Sequence, residues 1–76
     1  MRIRDLREDD DLTQKQIAEY LSIKQNTYSQ YENGIRQIPI DLLIKLSQYY
    51  NVSVDYILEL TDVKNPYPRK SKKISW

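Results

Sequence analysis

Residues 12–34, LTQKQIAEYLSIKQNTYSQYENG, constrain this chain more than any other stretch, because they hold two helix patterns joined by a tight connection. Thr13 followed three residues later by Gln16 is a capping box, and Leu12 with Ile17 has the spacing of a hydrophobic staple, so the first helix has a marked start and a set entry angle. Ile17, Ala18 and Leu21 then make one narrow apolar stripe, with Gln14, Lys15 and Glu19 expected to face outward. Ser22, Ile23 and Lys24 break the pattern, with Ile23 as the apolar anchor of the turn.

The second helix restarts at Gln25. Tyr28 and Tyr31 are an i, i+3 pair for the interior, and Asn33-Gly34 supplies a stop. Its other face is Gln25, Asn26, Ser29, Gln30 and Asn33. These are amides and hydroxyls, the groups that pair with base edges, and two of the amides stand in the first turn. Such a face suits a recognition helix.

On these residues the segment resembles the helix-turn-helix of the phage repressor and Cro proteins, the Xre family. The match runs through Thr13, Gln14, Ile17, Ala18, Leu21, Ile23, Tyr28, Ser29, Tyr31, Glu32, Gly34, Arg36 and Pro39, and NVSVDYILELTD resembles the family's last helix, so residues 2–62 are covered. The resemblance implies an all-α, five-helix repressor-like domain over residues 1–62. It also implies that Arg7 pairs with Glu32, tying the first helix to the end of the recognition helix; the competing reading is a solvated Arg7. The family usually has Gly where this chain has Asp11, Ser22 and Glu59, so a left-handed backbone carrying a side chain is expected there, least comfortably at Glu59. Lys24 stands where a capping Ser or Thr is usual and cannot accept a hydrogen bond.

Composition narrows the function. The chain has no cysteine and no histidine, which removes thiolate metal sites, the commonest metal ligand and the commonest general base, so neither an enzyme nor a cofactor or metal is expected. Asp9, Asp10 and Asp11 adjoin, yet sequence neighbours do not converge on one face and no EF-hand spacing follows; they serve to end the first helix. No apolar run approaches a transmembrane span and no secretion signal precedes the domain, so a cytoplasmic, nucleoid-associated protein of a prokaryote or phage is expected. Net charge is +1, but residues 1–12 carry −2, 13–50 carry +1, 51–65 carry −2 and 66–76 carry +4. This segregation is compatible with DNA binding of modest non-specific affinity.

Elsewhere, the first helix is expected from about Arg2, with Ile3 and Leu6 inward and Arg4, Asp5 and Glu8 outward. A fourth helix starts near residues 39–41, with Leu43, Leu46, Ser47 and Tyr50 inward. Leu42 and Tyr49 are left over at i, i+7, with Ile35 and Ile38 nearby in sequence; a dimer contact and a broad core stripe are the two readings. Ser53 caps a fifth helix with Val52 and Ile57 as its staple, and Val54, Ile57 and Leu58 close the core. In the resembled family this helix often carries the dimer interface, which adds Val54 to the candidate contacts. Residues 63–76 read as a flexible basic arm, either clamping DNA or merely solvated.

The expected function is a sequence-specific regulator of double-stranded DNA, most simply a homodimeric repressor occupying an operator. Gln25, Asn26, Thr27 and Gln30 would read bases, while Gln14, Lys24, Asn33 and Arg36 would hold phosphates. The alternative is a helix-turn-helix fold that binds a protein partner, as an anti-repressor or antitoxin-like module. Against it stands the polar face, where a partner-binding helix would carry apolar or aromatic anchors.

Overall fold

The computed structural model describes residues 1–65, which form α1 (Ile3–Asp9), α2 (Gln14–Leu21), α3 (Gln25–Glu32), α4 (Ile40–Tyr50) and α5 (Val54–Ile57), with no strand among them. None of these helices is long and apolar enough to cross a membrane. The longest has 11 residues, so packing rather than intrinsic propensity must hold them. That packing comes from one cluster. Ile3 and Leu6 of α1, Ile17, Ala18 and Leu21 of α2, Tyr28 and Tyr31 of α3, Leu43 and Leu46 of α4 and Ile57 of α5 are all buried, joined by Ile38 and Val52 from the connections.

The helix starts follow their chemistry. Both bonds of the Thr13–Gln16 capping box are made, at 3.1 and 2.8 Å. Ser53 Oγ accepts from the Tyr56 N–H at 3.0 Å. Lys24 precedes α3 with no side-chain cap, so the first-turn N–H groups of α3 have none of the side-chain acceptors that α2 and α5 possess.

The ends of the helices share one device. After each comes a left-handed residue, Asp11, Ser22, Gly34, Asn51 or Glu59, with φ of 56, 59, 73, 56 and 64°. An apolar residue follows each one: Leu12, Ile23, Ile35, Val52 and Leu60. The N–H of that apolar residue reaches back five positions, to Arg7, Ala18, Gln30, Ser47 and Asp55, at 2.9–3.1 Å. This is the long bond of the Schellman motif, which satisfies carbonyls that a helix end leaves orphaned. Asp11, Ser22 and Glu59 are the three positions where the Xre pattern has glycine. Asn51 had no such signal.

α5 is a single turn and is held from outside. The Arg2 N–H donates to Ile57 O and Arg2 Nε to Tyr56 O, both at 2.8 Å, and the guanidinium lies 4.3 Å from the centre of the Tyr56 ring. Beyond α5, the Ser53 N–H donates to Lys64 O at 3.0 Å. The arm expected over residues 63–76 lies, from residue 66 onward, outside the described residues.

Two core expectations need correction. Leu58 does not close the core but is 38% exposed, because a one-turn helix has too few residues for periodicity to fix its face. Ile38, grouped with surplus surface, is buried at 8% exposure in the connection to α4.

Candidate nucleic-acid interface

α3 is divided lengthwise. Its inner side inserts Tyr28, fully buried, and Tyr31 into the core. Its other side presents Gln25 and Asn26, exposed, with Thr27, Ser29 and Gln30 half-buried. The side chains of Gln25, Asn26, Thr27 and Gln30 make no hydrogen bond among the described residues, so the fold leaves their donors and acceptors uncommitted.

The end of α3 is anchored by one carboxylate. The buried Glu32 side chain accepts from Arg7 Nε at 2.6 Å on Oε2, and from Arg7 Nη2 at 3.2 Å and Gln14 Nε2 at 3.1 Å on Oε1. Arg7 also donates to Leu12 O at 2.8 Å, so one guanidinium ties together α1, the α1–α2 turn and α3. Burial alone would raise the Glu32 carboxyl, but the hydrogen bonds from Arg7 and Gln14 and the nearby Tyr28 hydroxyl outweigh it and hold the group at about 2. Burial, with the Glu32 carboxylate close by, pushes the Tyr28 hydroxyl well above the usual phenol range, although that hydroxyl makes no hydrogen bond of good geometry.

Gln14 was expected to face outward. Instead it is half-buried with its amide donating to Glu32, because the start of α2 packs beside the end of α3. Its place at the first residue of α2 still leaves it at a helix N-terminus. Asn33 is exposed, and its Oδ1 accepts from Arg4 Nη2 at 2.7 Å while its Nδ2 lies 3.4 Å from Ser29 Oγ. Lys24 and Arg36 are exposed at opposite ends of α3. Arg36 is held there because its N–H and that of Ile35 both donate to Gln30 O.

Arg4 is exposed on α1 as expected, but its contact with the end of α3 was missed by sequence reasoning. Its Nε lies 3.4 Å from Glu32 Oε1, beside the Asn33 contact. Its i, i+3 spacing from Arg7 on a helix was the available signal, since both then face α3.

Of the candidate dimer contacts, Leu42 and Val54 are partly buried against the core. Tyr49 is 41% exposed and packs on Tyr20, with ring centres 4.7 Å apart, and edge-on to Tyr50 at 5.0 Å. Among the described residues no group of acidic, histidine or cysteine side chains is placed to hold a metal ion.

Five short helices around one core, with a buried anchor behind α3 and a polar face in front of it, define a helix-turn-helix domain. The family model described as helix-turn-helix matches residues 3–57, and the chain belongs to that family, of the Xre type. It is similar to the uncharacterized HTH-type transcriptional regulator YobD of Bacillus subtilis, 43% identical over 95% of this chain and 62% of that protein. It is also similar to the HTH-type transcriptional regulator ImmR of Bacillus subtilis, 44% identical over 82% of this chain and 49% of that protein. The cryptic phage CTXphi transcriptional repressor RstR of Vibrio cholerae is 31% identical over 93% of this chain and 64% of its own length. The chain thus spans roughly half to two thirds of these relatives. No solved structure matches it significantly.

Proposed function

We propose that the chain is a sequence-specific, double-stranded DNA-binding transcriptional regulator that represses by occupying an operator, with α3 in the major groove. The observation that carries this reading is the uncommitted amide face of α3, set in front of a buried ion pair that fixes the helix. Gln25 and Asn26 each match the bidentate pattern of adenine N6 and N7, and Thr27 and Gln30 flank them. Asn33, Lys24 and Arg36 take phosphates at the two ends of α3. Gln14, its amide engaged by Glu32, contributes through the N–H groups that open α2.

The protein acts in the cytoplasm and without catalysis or a cofactor. It pairs as a homodimer on symmetric half-sites about 34 Å apart. Exposed Tyr49, with the half-buried Leu42 and Val54, supplies that contact.

The test is selection of duplexes from a randomised pool at physiological salt, with Gln25→Ala/Asn26→Ala run in parallel. One palindromic site should be enriched by the wild type and lost in the double variant. Either single truncation should cost about 1–3 kcal/mol on that site, whereas Arg36→Ala should weaken all duplexes alike. No enrichment at all would reject this reading in favour of a protein-binding module.

A further inference from the structure

We propose that Arg4 is a DNA-contacting residue, supplying a phosphate contact from α1 beside the C-terminal end of α3. The inference rests on the DNA-binding reading above.

It starts from the charges around Glu32. Two guanidiniums converge on one carboxylate, so one positive charge is left over. Arg7 is the partner that neutralises Glu32, because it spans both oxygens at 2.6 and 3.2 Å and its side chain is only 13% exposed. Arg4 touches the same carboxylate through a single long contact of 3.4 Å, and its side chain is 50% exposed. The surplus charge therefore belongs to Arg4.

The hydrogen-bonding capacity of Arg4 points the same way. A guanidinium has five donors. Arg4 uses two of them, on Glu32 and on the neutral Oδ1 of Asn33, which leaves three for an outside acceptor. The Asn33 contact, 2.7 Å long, makes the two side chains a unit at the exposed end of the helix, with Nδ2 of Asn33 turned toward Ser29. A planar fork with free edges beside a fixed amide matches the tetrahedral oxygens of a phosphate. Asp5 and Glu8 are the nearest acidic residues along α1; Glu8 lies 3.9 Å from Arg7, at the limit of an ion pair, and the structure pairs neither with Arg4. A purely structural alternative is that Arg4 offsets the negative end of the α3 dipole. That role involves no counterion release, so salt dependence separates the two.

The experiment measures affinity for the selected duplex and for a random duplex across a salt series, using wild type, Arg4→Gln, Arg4→Lys and, as a control for loss of one charge, Lys64→Gln. Arg4→Gln should reduce the slope of log affinity against log salt by about 1 per subunit, about 2 for the dimer, and weaken both duplexes by up to about tenfold per subunit near 0.1 M salt, with its circular dichroism unchanged. Arg4→Lys should keep the wild-type slope, and so should Lys64→Gln, because Lys64 is exposed beside the start of α5, where only its backbone carbonyl is engaged. A folded Arg4→Gln variant with the wild-type slope overturns the proposal, as does a loss confined to the selected duplex. If the wild type bound neither duplex, the DNA reading itself would fail and Arg4 with it.

Discussion

Glu32 belongs to α3 but works mainly for the rest of the domain. Its carboxylate is buried, yet each oxygen has charged or amide donors, the condition under which a buried ion pair is tolerated. Removing one partner is costly because the other is left without compensation, so Arg7→Ala should destabilise the domain by about 3 kcal/mol, an effect that shrinks when Glu32 is replaced as well. The pH dependence follows from the depressed carboxyl. Its folded value of about 2 lies below the ordinary 4.5, so its contribution is complete above about 4.5 and is lost as pH falls toward 2. A depression from 4.5 to about 2 corresponds to an acid-dependent part of about 3 kcal/mol. Urea midpoints measured from pH 6 to pH 2 should fall steeply in the wild type and more gently in Glu32→Gln. Equal slopes in the two proteins would show that other carboxylates carry the acid sensitivity.

At the scale of the element, the recurring left-handed helix end is the main economy of the fold. Only Gly34 takes that backbone without a side chain, and the other four carry strain that differs with chemistry. Serine gains little in this region, whereas asparagine is tolerated there. Ser22→Gly should therefore stabilise the domain by about 0.5 kcal/mol, the relief of left-handed strain less the extra freedom of glycine in the unfolded chain. Asn51→Gly should be close to neutral, and comparing the two denaturation midpoints tests the assignment. Much of this was legible in the sequence: the capping box at Thr13, the stripe of Ile17, Ala18 and Leu21, the cap at Ser53 and the glycine substitutions at Asp11, Ser22 and Glu59. What was not legible depended on tertiary placement. Gln14 read as solvent-facing, and the exposed Arg4 read as partnerless, because the end of α3 is brought to both by packing. Leu58 failed because four residues carry no usable period, and Asn51 because the inward stripe of α4 simply ran up to it.

Across the whole molecule, the ends of the described domain are clasped together. Arg2, at the entrance to α1, bonds to the last carbonyls of α5 and to Asp62, and it stacks on Tyr56. A one-turn helix has no stability of its own, so this clasp decides whether α5 stays docked. Arg2→Ala should cost about 2 kcal/mol through the lost charge-assisted bonds and ring contact. Hydrogen exchange should then rise first at the amides of residues 57–60, while those of α2 and α3 keep their protection; uniform acceleration would mean the clasp is not a separate unit. The lengthwise division of α3 has a different consequence. Tyr28, Tyr31 and Glu32 perform its structural duty, whereas the side chains of Gln25, Asn26, Thr27 and Gln30 make no hydrogen bond to the rest of the described fold. Surface positions without such duties change at little cost in stability. A lineage built on this scaffold is therefore free to exchange these outward residues while inheriting the fold unchanged.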